Sequence, residues 1–204
     1  MDRLEQLLAT AGPLLRRVDA LLAGGAPPDH EVWRQLRRVR LLPGDAAHAV
    51  AALRPDDLGD AAPQLRAEAR TYATLAASLP APEEWSGSAA EAYDEARRRT
   101  ATHLSGGVDS LDDRLHASAD LIDALTTWMQ SSRESLALTL AETLGSTEAI
   151  ALSANNGDIP APSELAAAAE VAETVLRTVA DAYDRGADLL HASSTLAEPL
   201  AMAR

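Results

Sequence analysis

The stretch EAYDEARRRTATHLSGGVDSLDDRLHASADLIDALTTWMQSSRESL occupies residues 91–136, and its apolar spacing decides the fold class. From Tyr93, the positions Arg97, Thr100, Leu104, Val108, Leu111, Leu115, Ser118, Ile122, Leu125, Met129, Ser132 and Leu136 follow one another in steps of three and four. Steps of that size return to one face of an α-helix, and Leu121 and Trp128 widen the stripe. Gly106-Gly107 interrupts the run, at about 1 kcal/mol per glycine relative to alanine. The register nevertheless carries straight across. The pattern favours one long helix from about Ala89 to Leu144, and leaves open whether it bends or breaks at the glycines.

Just upstream, PEEWSGSAAEAY (82–93) sets Trp85, Gly87 and Ser88 between this helix and an amphipathic stretch from about Asp60 to Ser78. Ser88-Ala-Ala-Glu91 has the form of a capping box, in which hydroxyl and carboxylate each take the other residue's amide. Gly87 allows a sharp reversal, and Trp85 is left to cover the apolar tip. The two helices therefore read as an antiparallel hairpin.

The flanks are helical too. Leu4, Leu7, Ala11, Leu14, Val18 and Leu21 mark a helix that Pro13 is expected to kink or restart. Asp29 is expected to cap a short arginine-rich helix, HEVWRQLRRVR (30–40), and a minor helix is expected around Ala46–Leu53. SANNGDIPAPS (153–163) reads as a loop, with Ser163 capping a last helix over about 164–193. No strand pattern emerges. The expected architecture is an all-α, elongated helical bundle in a single domain, 1–204. It comprises N-terminal helices (1–58), the hairpin (59–145) and a C-terminal helical segment (160–204).

Composition limits the function. The 204 residues carry a formal charge of −13, and every one of the 18 basic residues is arginine. A net negative field repels phosphates, so no nucleic-acid partner is expected. Absence of cysteine excludes disulfides and thiolate chemistry. No apolar run approaches the roughly 20 residues that span a bilayer. The N-terminal MDRLEQLLATAGPLLRR interleaves charges with leucine, unlike a cleaved signal peptide.

EEWSGSAAEAY is similar to the W-x-G motif of the small type VII (ESX) secretion proteins, whose two antiparallel helices are joined by a Trp-x-Gly turn. Related folds occur in the helical domains of mycobacterial PPE proteins. The matching positions are Trp85 and Gly87, and the alanines of SAAEAY resemble the start of the second helix. The resemblance covers roughly residues 60–145. It implies a non-enzymatic protein acting by helix–helix contact, as a substrate or a substrate's partner in an actinobacterial type VII system. Such a protein is cytoplasmic before export, leaves without a cleaved signal peptide, and pairs as a homodimer or with a small W-x-G helical protein. Family members commonly carry Tyr-x-x-x-Asp/Glu after the second helix. Here Tyr72, Tyr93 and Tyr183 are followed at the fourth position by Ala76, Arg97 and Ala187. Export then depends on a partner that supplies the signal, or the chain stays inside the cell. The alternative readings are a cytoplasmic helical scaffold or regulator unrelated to secretion and, behind it, a metal-binding bundle.

Chemistry-bearing patterns are sparse. Asp45/His48, Asp113/His116 and Asp188/His191 are spaced i, i+3, as in carboxylate–histidine pairs of di-metal bundles. They flank the apolar faces, so surface pairs are expected and no metal. WRQLRRVR (33–40) and ARRRT (96–100) read as solvated faces paired with nearby acids. The carboxylates Glu83-Glu84 and Asp112-Asp113 read as solvated. No catalytic motif and no cofactor loop is present. The long stripe exceeds what the shorter helix before Trp85 covers. Its half around Ile122, Leu125, Trp128 and Met129 is therefore expected to pack on the last helix and to leave apolar surface for a partner.

Overall fold

The computed structural model describes residues 2–83, 85–154 and 160–194. Glu84, the middle of the 153–163 loop and residues 195–204 lie outside the described residues. Among the described residues the chain is all-α, with no strand. The helices are α1 (Arg3–Ala23), α2 (Val32–Val39), α3 (Pro43–Ala51), α4 (Ala61–Ser78), α5 (Ser88–Leu104), α6 (Leu111–Leu144), α7 (Thr147–Ala154) and α8 (Pro162–Ala192), with a 3-10 turn at Pro55–Leu58. The chain gathers into two compact units. Of the described residues, the first holds those within 2–55 and 127–188, the second those within 56–126 and 189–194.

The first unit has a continuous apolar core. Helix α1 opens with a capping box, Glu5 N donating to Asp2 at 2.9 Å and Asp2 N to the Glu5 carboxylate at 3.2 Å. It runs through Pro13 without a break, correcting the expected restart. Pro13 and Ala9, the residue whose carbonyl it leaves without an amide, are both exposed, so water meets that carbonyl. Leu4, Leu8, Leu15, Val18 and Leu22 face inward. Helix α8 is buried along much of its length: Ala168, Ala169, Ala172, Val175, Leu176, Val179 and Ala180 are all buried. Alanine at so many of these positions lets neighbours approach from several sides at once.

The shorter elements lock onto that core. Helix α2 starts later than expected, at Val32, with no side-chain cap from Asp29. His30 Nδ1 instead accepts from Val32 N at 3.1 Å, and Trp33 Nε1 donates to Pro27 O at 2.9 Å. Helix α3 packs on α1. Asp19 on α1 accepts from Gly44 N at 3.2 Å, and a Cβ at Gly44 would fall 2.4 Å from the Asp19 carboxylate. Helix α7, which the periodicity did not reveal, is capped by Ser146 Oγ accepting from Ala149 N at 3.1 Å, and it packs on α1. Helix α8 begins at Pro162, ahead of the expected Ser163 cap, and the Glu164 carboxylate takes the Ala161 amide at 2.9 Å.

Asp19 yields a pH prediction. Burial pushes its carboxyl above the usual range, against a lowering by the Gly44 amide. An acid raised on folding contributes stability that is full below its unfolded pKa and is lost as pH rises through the folded one. Asp19→Asn keeps the acceptor but no longer ionises. It is expected to raise the unfolding midpoint at pH 7 and to lose that advantage toward pH 4. Equal midpoints at pH 7 would contradict the assignment.

The second unit is built differently. Helices α4 and α5 pack together, and the 111–126 part of α6 contributes a third helix. Arg66 on α4 forks to Asp120 and Asp123 on α6, each at 2.7 Å. Its buried apolar residues, among those described, are Ala62, Ala69, Ala90 and Ala119. The larger stripe residues Tyr72, Tyr93, Leu104, Leu111, Leu115, Ile122 and Leu125 are only half-buried.

The expected single long helix is broken. Helix α5 ends at Leu104 and α6 starts at Leu111. Gly106 (φ 82°) and Asp109 (φ 65°) take left-handed backbone angles, which no helical periodicity can report.

Candidate interaction surface

Trp85 and Gly87 stand between α4 and α5, where the sequence put the turn. Gly87 has φ 96° and ψ −177°, a region essentially reserved for glycine. It occupies the N-cap position of α5, and no side-chain hydrogen bond caps that end. Ser88 is the first helical residue and is exposed, so the expected Ser88/Glu91 capping box is corrected: the helix begins one residue early. The first turn is closed by backbone alone, Glu91 N donating to Gly87 O at 3.1 Å.

Tyr93 ties the turn together. Its hydroxyl donates to Pro80 O at 2.9 Å, so the start of α5 lies beside the end of α4. Its ring stands 5.2 Å from that of Trp85, tilted by 46°, within the range of favourable aromatic pairs. Trp85 nevertheless stays 50% exposed, and Leu75 on the last turn of α4 stays 47% exposed. The hairpin end thus shows an indole and a leucine to solvent. On the polar side of α5, Asp94 accepts from Arg97 at 2.8 Å and also pairs with Arg98. The Arg97 guanidinium, followed by that of Arg98, holds the Asp94 carboxyl below its usual range.

Gly87→Ala is expected to cost about 1–2 kcal/mol, because a Cβ is strained at these backbone angles. Ser88→Ala should fall within about 0.5 kcal/mol of the parent, as an exposed position away from any cap. Chemical denaturation of both variants checks the pair. A larger loss for Ser88→Ala than for Gly87→Ala would restore the capping box.

Of the second predicted cluster, Trp128 is the residue that the structure seats on α8. Its Nε1 donates to Ala182 O at 2.7 Å, and a Cβ at Gly186 would fall 2.8 Å from its ring. Met129 is half-buried in the same unit; Ile122 and Leu125 belong to the second unit and are also half-buried. The cluster is therefore divided between the two units.

Two of the histidines bond within their own helices and a third reaches α8. His48 Nδ1 lies 2.7 Å from Gly44 O, and His116 Nδ1 lies 2.8 Å from Asp112 O. His30 Nε2 meets Glu170 at 3.2 Å. Among the described residues no group of three or more His, Asp or Glu is placed to hold a metal ion. The basic helix α2 finds acids as expected: Arg38 donates to Asp181 at 3.1 Å and to Asp184 at 2.7 Å, and Arg34 pairs with Glu31. Asp112, read as solvated, accepts instead from Ser105 Oγ at 2.5 Å, Ser110 Oγ at 2.6 Å and Asp113 N at 2.9 Å. No helix among the described residues is long and apolar enough to cross a membrane.

No protein-family model, no curated protein and no solved structure matches this chain.

Proposed function

We propose that the chain is a non-enzymatic protein that works by pairing with another helical protein through residues 56–126. We further propose that it is a substrate of a type VII secretion system, or a substrate's partner. The observation that carries the pairing is the contrast in burial. The first unit buries leucines and valines throughout, whereas the buried apolar residues of the second, among those described, are four alanines, Ala62, Ala69, Ala90 and Ala119. Burying a leucine-sized side chain stabilises by about 1.5–3 kcal/mol. A unit that leaves its tyrosines, leucines and Ile122 half-covered keeps that gain for association.

The secretion reading rests on the resemblance at Trp85 and Gly87, and on the exposed indole between two packed helices. A cytoplasmic scaffold or regulator is the second reading, favoured by the absence of Tyr-x-x-x-Asp/Glu after any tyrosine. Light scattering of the purified chain, alone and with a small W-x-G protein from a host carrying such a locus, tests the pairing. A dimer or a 1:1 complex is expected, weakened by Trp85→Ala. A monomer at every concentration, with no complex, would contradict it.

A further inference from the structure

The break between α5 and α6 is at odds with the sequence around it. The three-four register runs from Leu104 through Val108 to Leu111 and Leu115 as if no turn were there. Three of those four residues are half-buried, while Val108 is 102% exposed. A continuous helix would return Val108 to the same stripe as its neighbours. The turn itself is held by groups close to it in sequence. Gly106 and Asp109 take left-handed angles, and Asp109 pairs with Arg114 at 3.0 Å. The Asp112 carboxylate takes the hydroxyls of Ser105 and Ser110, one from each side of the glycines. Gly107 packs so closely that a Cβ would fall 2.7 Å from Thr102 O. Every one of these holds is local to residues 102–114.

We propose that Ser105–Ser110 is a hinge with two helical states: the turn seen here, and a form in which α5 and the 111–126 part of α6 make one continuous helix with Val108 on its apolar stripe. The two states differ in what they satisfy. The turn keeps the Asp112 clasp and lets Arg66 reach Asp120 and Asp123. The start of α5 lies beside the end of α4, so the two run in opposite directions. A straight extension of α5 would therefore carry Asp120 well past the level of Arg66, and the fork would open. In exchange the six turn residues gain helical hydrogen bonds, and the stripe becomes unbroken. A long bare stripe is unfavourable on a lone chain, so a partner that covers it selects the long form. The hinge itself requires no particular partner and stands apart from the secretion reading.

The chain has no cysteine, so Ala92→Cys and His116→Cys give unique, exposed sites for spin labels in the full-length protein. In one continuous helix these positions stand about 36 Å apart, at 1.5 Å per residue. In the turned form the fork holds Asp120 at the level of Arg66, so their separation falls below that value. We expect a single short distance in the parent chain. Gly106→Ala/Gly107→Ala/Asp112→Ala should add a resolved population near the long distance. Adding Val108→Asp should shrink that population, because the charge would lie on the stripe. If the triple variant does not melt cooperatively, Asp112→Ala alone carries the test with the same expectation. Only short distances in every folded variant would overturn the hinge. A long population indifferent to Val108→Asp would overturn the role of Val108.

Discussion

Trp128→Ala is expected to lower the unfolding free energy by about 2–3 kcal/mol, the loss of a half-buried indole's packing and of one hydrogen bond. The indole is held in two ways. Its Nε1 donates to Ala182 O at 2.7 Å, and its six-membered ring rests on Gly186, where no Cβ stands in the way. Trp128→Phe keeps most of the area and loses the hydrogen bond, so about 1 kcal/mol is expected. Gly186→Ala approaches the same contact from the other side. Alanine gains about 1 kcal/mol of helix propensity, but its Cβ would sit 2.8 Å from the ring. Overpacking of that kind costs about 1–3 kcal/mol, so a net loss is expected. Urea melts of the three variants give the ranking directly. A Trp128→Ala loss under about 1 kcal/mol would mean that this contact does not hold α6 to α8.

The second large effect belongs to Arg133. From α6 its guanidinium donates to Leu53 O at 2.9 Å and to Ala51 O, the carbonyls at the end of α3. It also pairs with Asp2, the residue that caps α1. One side chain thus serves carbonyls at the end of one helix, groups that a helix leaves unpaired, and the capping carboxylate at the start of another. Arg133→Met, which keeps the stem and removes the fork, is expected to cost roughly 2–4 kcal/mol. Arg133→Lys should recover part of that loss, since an ammonium reaches one of these acceptors but not all three. The Asp2 carboxyl is held below its usual range first by the Glu5 amide and then by Arg133. Its contribution is therefore present above the unfolded carboxylate pKa and is lost as pH falls through the folded one. The deficit of Arg133→Met relative to the parent should narrow at acid pH. A deficit independent of pH would remove Asp2 from the account.

The apolar spacing located most helices because burial imposes it. Leu4 to Leu21 and Ala168 to Val179 face cores as their steps require. The same spacing failed at Ser105–Ser110, since periodicity reports faces and is blind to the sign of φ. The signals there were local ones: a serine on either side of two glycines, with Asp112 two residues beyond the second serine. Helix α7 escaped because its eight residues hold only two buried positions, Ala149 and Leu152; Ser146, its cap, was the available clue. At the candidate surface, Trp85 and Gly87 were legible as a turn, and Trp128 as a contact with the last helix. The pairing of Trp85 with Tyr93 was not, because it depends on the reversal that brings residues eight apart together. Capping at Ser88 was misread by one residue, a shift that moves the hydroxyl from cap to exposed helix.

The proposed pairing of residues 56–126 with another helical protein is tested most directly by export. The tagged chain would be produced in a host carrying a type VII locus, with and without the locus ATPase, beside its Trp85→Ala variant. The account predicts the parent chain in the culture filtrate, in a complex with a small W-x-G protein. Recovery should be lost without the ATPase and reduced for Trp85→Ala at equal cellular levels. A chain retained in the cell in every strain, alone and monomeric, would contradict both the secretion role and the pairing.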